Sequence, residues 1–341
     1  MIDDENGPAL SHGVQTASVT AAPTAFDHRL VADIGGTNAR FGLLDPQGNL
    51  RDVTTLACAD FAGPAAAIRY YLETTDVDRI KEAAIAVATP VIGDRVSLTN
   101  RTDWSFSIRR LQRQLRLDRL KVINDFTALA LSLPRLPPQS LRQVGSGTPD
   151  HEAAHAVLGP GTGFGMSGLI PAPTGWVPLA SEGGHVTFSA ANDEETAILS
   201  LLLRRFGHVS AERLLSGPGL VNLHWAQARL SGEHITELTP EQITAHALAD
   251  TDPLCRHALE IFCAMLGTAA ANLVLTLGAR GGVYIGGGIV PRLGTFFEHS
   301  DFRTRFEARG RLSTYLSSIP SYVVHADNPG LDGAAATLQA P

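Results

Sequence analysis

Two stretches of the chain place backbone amides and an acidic side chain where a phosphate and a cation could be held. Residues 30–44 read Leu-Val-Ala-Asp-Ile-Gly-Gly-Thr-Asn-Ala-Arg-Phe-Gly-Leu-Leu, and residues 156–170 read Ala-Val-Leu-Gly-Pro-Gly-Thr-Gly-Phe-Gly-Met-Ser-Gly-Leu-Ile. Each is an apolar run, a turn of small residues and a second apolar run, which predicts strand, turn, strand. The glycines allow a sharp turn or the close approach of a ligand, and the N–H groups of such a turn can cradle a phosphate. Two such hairpins suggest two related halves clasping one nucleotide. No G-x-x-x-x-G-K-[ST] string occurs, and the first Gly turn runs into an apolar strand rather than a helix. Both the P-loop and the dinucleotide loop are thereby excluded. Asp33 ends the first apolar strand, where its carboxylate either holds Mg²⁺ directly or through water or caps its own turn. A third Gly cluster, Gly286-Gly287-Gly288, follows the strand-like Gly281–Ile285, and the apolar Leu120–Ile123 ends in Asn124 and Asp125. At the end of a strand and before a helix, Asp125 stands where α/β folds usually place their sites; it could equally cap that helix.

The elements that must position these residues alternate between the two periodicities. Helices are predicted at 63–73, 107–115, 126–133, 193–206, 210–215, 240–249, 254–277 and 331–338, with another opened by Pro291. Strands are predicted at 83–88, 96–99, 120–125 and 322–325 besides the hairpins at 29–44 and 154–170. Alternation of this kind defines an α/β class, and the hairpins make its sheets mixed rather than wholly parallel. The Pro-rich 134–138 is a candidate boundary.

At 341 residues the chain is long enough for two domains, and its formal net charge of −7 argues against nucleic-acid binding through bulk positive charge. Cys58, Cys255 and Cys263 show no C-x-x-C spacing, which suits a reducing cytoplasm. Residues 1–28 are acidic at their start and then rich in Thr, Ala and Ser; they are expected to form a disordered arm rather than a secretory signal. Residues 259–277 are long and apolar enough to span a bilayer, but Glu260 and Asn272 interrupt them. A buried helix, and no membrane association, is the expectation.

Six blocks carry a family resemblance: Ala32–Arg40, Ile123-Asn124-Asp125-Phe126-Thr127-Ala128, Glu182-Gly183-Gly184-His185-Val186, residues 208–222, Gly286–Arg292 and Asn328-Pro329-Gly330-Leu331. Together, and in order from about 29 to 338, they resemble the bacterial glucokinases. That resemblance implies two actin-like (ribonuclease H-like) α/β domains with mixed sheets flanking a nucleotide and sugar cleft. The expected division is a small domain of 29–135 plus 325–341 and a large domain of 136–324. It further implies that Ala32, Asp33, Ile34, Gly35, Gly36 and Thr37 bind ATP, with Mg²⁺ on Asp33 through water. Gly161, Thr162 and Gly163 would form the second phosphate loop, and Gly286, Gly287 and Gly288 would lie near the adenosine. Asn124, Asp125, Glu182, His185 and Glu212 would grip the sugar, and Asp125 would be the catalytic base.

The implied reaction is transfer of the ATP γ-phosphoryl to the 6-hydroxyl of D-glucose, the entry step of glycolysis, with a homodimer as the default assembly. A carboxylate that accepts the alcohol proton contributes about 10²–10⁴-fold. Carboxylates, Asn and His together match hydroxyls that both donate and accept. The alternatives are a sugar-sensing regulator on the same fold and a kinase for another hexose. Three departures from the family stand out: the long lead-in, Pro160 in the second turn, and a Thr99–Trp104 segment longer than in some members, which leaves Asn100 without an assigned role.

Two metal motifs are weaker. His151-Glu152-Ala153-Ala154-His155 matches the zinc-peptidase string, whose chemistry needs both histidines on one helical face and a third ligand. Pro149 just before it and the strand-like Ala156–Gly159 after it argue against that helix. Glu182-x-x-His185 has the spacing of a di-iron helix, and Gly183-Gly184 argues against a helix there.

Overall fold

The computed structural model describes residues 28–339 apart from 76, 78, 99, 100, 235 and 236; the arm expected at 1–28 lies, up to residue 27, outside the described residues. The first half runs β1 (Arg29–Ile34), β2 (Asn38–Leu44), β3 (Leu50–Ala57), α1 (Pro64–Glu73), β4 (Glu82–Val87), the ribbon β5 (Arg95–Leu98) and β6 (Arg101–Ser107), α2 (Ile108–Gln114), β7 (Arg119–Asn124) and α3 (Asp125–Ser132). The second half runs β8 (Leu141–Val144), β9 (His155–Pro160), β10 (Phe164–Ala172), β11 (Gly175–Leu179), α4 (Asp193–Phe206), α5 (Gly217–Ser231), α6 (Pro240–Leu248) and α7 (Pro253–Leu277). It closes with β12 (Val283–Ile285), the short helices α8 (Val290–Leu293), α9 (Thr295–His299), α10 (Phe302–Glu307) and α11 (Ser313–Ser317), then β13 (Ser321–Val324) and α12 (Pro329–Gln339).

The repeated hairpin of the sequence is a repeated sheet. One sheet has the order β3-β2-β1-β4-β7 and the other β11-β10-β9-β12-β13-β8. In both, an antiparallel three-strand meander is followed by two parallel strands: β1 pairs antiparallel with β2 and parallel with β4, and β9 pairs antiparallel with β10 and parallel with β12. The two Gly turns close equivalent hairpins, at Ile34↔Ala39 and at Pro160↔Phe164.

Elements with marked ends match their expected ranges. In α4, Asn192 accepts from Glu195 N–H, acidic residues fill the first turn, and Gly207 ends the helix in the left-handed region at φ 73°; these are the start and stop signals that a sequence displays. The helix expected at 210–215 is only a 3-10 turn at Ala211–Arg213, because Ser216 caps a new helix, α5, directly afterwards. Its Gly-Pro-Gly opening reads as a loop in one dimension, and β3, β6, β8 and β11 also escaped the sequence analysis. β3 alternates only between exposed and half-buried residues, so it carries little hydrophobic signal. Pro291 sits inside a four-residue helix that begins at Val290.

Alternation along β1 divides the first half into two cores. Leu30, Ala32 and Ile34 face Ile68, Tyr71 and Trp104, while Val31 joins Ala84 and Leu44 against Leu331, Ala334 and Leu338 of α12. In the second half, α7 is enclosed by the core, with 78% of its most apolar window buried. The apolar surface of 259–277 is therefore spent on packing.

Helix α3 lies between the halves, and three glycines admit it. A Cβ at Gly333 of α12 would stand 1.7 Å from the Ala128 carbonyl oxygen, one at Gly165 of β10 would stand 1.8 Å from the Phe126 ring, and one at Gly286 would stand 2.4 Å from Leu129 Cδ2. Backbone cannot yield as a side-chain tip can. Gly333→Ala is expected to lower stability by about 1–3 kcal/mol, as overpacking does, read as a lower urea midpoint.

Candidate functional site

Asp33 is the fifth residue of β1, on the strand face opposite buried Ala32 and Ile34, and pairs in register with Arg40 across the hairpin. Ala32 and Ile34 keep their side chains in the core, so only their backbones can reach a ligand. The turn is closed by Gly35 N–H donating to the Asn38 carbonyl at 3.0 Å, and the Thr37 carbonyl accepts from Cys58 N–H at 2.8 Å. Burial raises the Asp33 carboxyl above its usual range, with the Arg40 charge opposing. Gly330, in the first turn of α12, is pressed against it: a Cβ there would lie 2.6 Å from Asp33 Oδ2. The Asn-Pro-Gly block seen in the sequence thus makes room for the carboxylate.

Asn124 ends β7 and caps α3. Its Oδ1 accepts from Phe126 N–H at 2.9 Å and Thr127 N–H at 3.2 Å, a cap of the kind that contributes about 1 kcal/mol. Asp125 is the first residue of the helix rather than its cap, and its Oδ1 accepts from Phe126 N–H at 2.9 Å. Burial first, and then the negative charge of Asp33, push its carboxyl up to about 7; the Phe126 and Asp125 N–H groups and the Asn124 side chain oppose this. Two carboxylates that burial disfavours as anions thus sit close enough to repel.

The second hairpin closes through Gly161 N–H donating to the Gly163 carbonyl at 2.8 Å, with Thr162 exposed at its tip. Pro160 ends β9, and its carbonyl receives Ile289 N–H at 3.3 Å. The Gly286–Gly288 loop stacks beside it: Gly286 N–H donates to the Leu158 carbonyl at 2.8 Å. Gly287 adopts φ +77°, where a Cβ would also meet the Pro160 oxygen at 2.3 Å. Both constraints demand glycine.

Glu182, His185 and Glu212 converge next to this hairpin. His185 Nε2 lies 3.9 Å from Glu182 Oε2, and its Nδ1 lies 4.0 Å from Glu212 Oε1. Glu212 Oε2 accepts from Phe164 N–H at 2.9 Å. Partial burial raises the Glu182 carboxyl, the His185 charge opposes it, and Glu212 adds to it. Gly183–His185 is a single 3-10 turn, so the Gly-Gly pair rules out a longer helix but not a turn. A Cβ at Gly184 would fall 1.8 Å from the Phe164 oxygen, which fixes this loop against β10.

The structure therefore gathers the expected residues into two groups, Asp33 with Asp125 and Glu182 with His185 and Glu212. Among the described residues no hydrogen bond or ion pair joins them; the link is α3, whose Phe126 abuts Gly165. Thr99 and Asn100 lie outside the described residues. The zinc-peptidase string is split between a turn and β9. His155 is buried against Trp176 and Tyr284, and burial lowers its pKa to about 4. Sequence reasoning missed Gly165, Gly330 and Gly333 as positioning elements. Gly330 stands in the Asn-Pro-Gly block without an assigned role, and Gly333, a glycine within an Ala-rich helix, offers a signal of its own.

The two sheets and paired Gly hairpins define the actin-like ATPase fold. The glucokinase family profile matches residues 30–341, and the chain belongs to that family. It is 52% identical over 319 residues to a glucokinase of Chromobacterium violaceum, covering 94% of this chain and 91% of that one. It is also 52% identical to a glucokinase of Aromatoleum aromaticum over 312 residues, covering 91% and 94%. The crystal structure of a glucokinase from an Antarctic psychrotroph superimposes with a TM-score of 0.82 at 38% identity, covering 92% of this chain and 99% of that one.

The carboxylate pair yields a direct test. In protein labelled with ¹³C at aspartate carboxyls, one resonance, absent in Asp125→Asn, is expected to titrate near pH 7, and Asp33→Asn is expected to move it lower. Titration of that resonance near pH 4 in the wild type would refute the coupling.

Proposed function

We propose that this chain transfers the γ-phosphoryl group of ATP to the 6-hydroxyl of D-glucose, giving glucose 6-phosphate and ADP, with Asp125 as the base. The observation that carries the reading is Asp125 at the N-terminus of α3, its carboxyl raised to about 7 beside Asp33. A base with a pKa near the working pH combines a sizeable ionised fraction with real proton affinity. Asp125 would accept the hydroxyl proton as the phosphoryl group arrives, the step that makes an alcohol competent in phosphoryl transfer.

The sugar is held by groups that both accept and donate. Asn124 spends its oxygen on the helix cap, which leaves its NH₂ for a hydroxyl. Glu182, Glu212 and His185 accept or donate from the other side. Phosphates would lie against the amides of Gly35–Thr37 and Gly161–Gly163, with the adenosine near Gly286–Gly288. Asp33 suits Mg²⁺, since its carboxylate supplies hard oxygens and a cation beside it would favour the anion that burial disfavours. Among the described residues no group of three His, Cys, Asp or Glu forms a metal site, so Asp33 would hold Mg²⁺ mainly through water. Bound there, Mg²⁺ would neutralise phosphate charge.

The two sheet units act in this reading as domains, 29–135 with 325–341 and 136–324, closing over the sugar to exclude water. A cytoplasmic homodimer working in glycolysis fits the reading.

ADP release from Mg-ATP is expected to require glucose and to be weaker with mannose, fructose or N-acetylglucosamine; no stimulation by any sugar would overturn the assignment. Asp125→Ala is expected to lose about 10²–10⁴-fold in kcat while glucose still binds by calorimetry. Glu182→Gln is expected to raise the glucose KM more than the ATP KM, and equal effects would reduce Glu182 to a structural role.

A further inference from the structure

One peptide group stands between the second phosphate hairpin and the sugar carboxylates. The carbonyl of Gly163 accepts from Gly161 N–H at 2.8 Å, which closes the turn. The N–H on the other side of that same planar peptide, Phe164 N–H, donates to Glu212 Oε2 at 2.9 Å. Because a peptide is rigid and planar, the orientation of the turn and the position of the Glu212 carboxylate are set together. With Oε2 held by the hairpin, Oε1 is the oxygen turned towards His185.

Two further contacts tighten the connection. The Gly161 carbonyl accepts from Gly217 N–H at 2.8 Å, and Ser216 Oγ donates to the Glu212 carbonyl at 2.8 Å. The hairpin, the Glu212 turn and the start of α5 therefore form one hydrogen-bonded unit. Gly163 is required for it: a Cβ there would stand 2.6 Å from Glu212 Oε2. The Gly163 backbone is not among those with positive φ, so alanine at this position would displace the carboxylate without straining the chain.

We propose that the Gly163–Phe164 peptide couples nucleotide occupancy to sugar affinity, with Gly163 as a positioning residue that keeps Glu212 seated on the hairpin. The inference rests on the proposed reading of the two sites. A phosphate that orders residues 161–163 orders the shared peptide and hence Glu212, so a sugar binding next meets a carboxylate already in place. Such coupling is reciprocal: each ligand must tighten the other by the same factor.

The test is calorimetry on the full-length protein with glucose and a Mg-bound non-hydrolysable ATP analogue, each titrated alone and in the presence of the other. The wild type is expected to show mutual tightening of about five-fold or more, the lower end of ordinary site-to-site coupling. Gly163→Ala is expected to bind each ligand separately with a factor near one. Glu212→Gln keeps an oxygen for Phe164 N–H; it should bind glucose more weakly yet retain the coupling, whereas Glu212→Ala should bind glucose more weakly and with a factor near one. This pair decides the matter if Gly163→Ala does not fold. A wild-type factor in Gly163→Ala or Glu212→Ala, or no coupling in the wild type while both ligands bind, overturns the inference. Failure of the wild type to bind glucose at all overturns the underlying assignment of function instead.

Discussion

The position of helix α3 depends on the absence of three side chains. The helix is capped by Asn124 and opens on Asp125, and its flanks meet Gly333 of α12, Gly165 of β10 and Gly286 just after β12. Interiors are packed so closely that one extra methyl group at such a contact must displace its neighbour: the Ala128 backbone at Gly333, the Phe126 ring at Gly165 and the Leu129 side chain at Gly286. The helix is thereby clamped between elements of both sheets, and Asp125 is placed by the packing of the whole molecule rather than by its own loop.

That placement has an electrostatic cost. A carboxylate drawn out of water prefers its proton, and more so beside another carboxylate: burial raises Asp33 against the charge of Arg40, and burial together with the charge of Asp33 raises Asp125. The Asn124 cap and the Phe126 N–H offset only part of it. Glu182, His185 and Glu212 are more exposed, with side-chain exposures of 50%, 59% and 35%, and partial burial raises the Glu182 carboxyl. In the proposed reaction the two clusters would take different tasks, the first tuning a proton affinity and the second offering solvated groups whose partners a sugar hydroxyl can replace.

The repeated topology explains why the site has two halves. Each sheet brings a Gly hairpin to the end of its central parallel strands, and equivalent hairpins in equivalent sheets can face a common ligand. Belonging to the glucokinase family, the chain uses the two hairpins differently. The first carries Asp33 ahead of its turn, whereas the second carries no acid and instead receives Glu212 on its backbone.

The sequence by itself determined what is local. Gly turns between apolar runs announced both hairpins, and the ranges expected for α4 and α6 match the helices found, whose caps are equally local: Asn192 for α4 and a Thr239–Gln242 capping box for α6. The ordered blocks announced the family and the residues to watch. It did not reveal β3 or β11, which carry little apolar alternation, or α5, whose Gly-Pro-Gly start is legible as a helix only once Ser216 is seen to cap it. Nor did it show why Gly165, Gly330 and Gly333 are glycine, because the atoms that would collide with a Cβ belong to residues 39, 297 and 205 positions away in the chain. The Asp125 carboxyl is raised for a similar reason: its burial and the neighbouring charge of Asp33 come from contacts across the fold. Local hydrogen bonding and periodicity are properties of neighbouring residues and can be read in one dimension. Close approach, desolvation and charge proximity are properties of distance in space, and only the tertiary structure decided them.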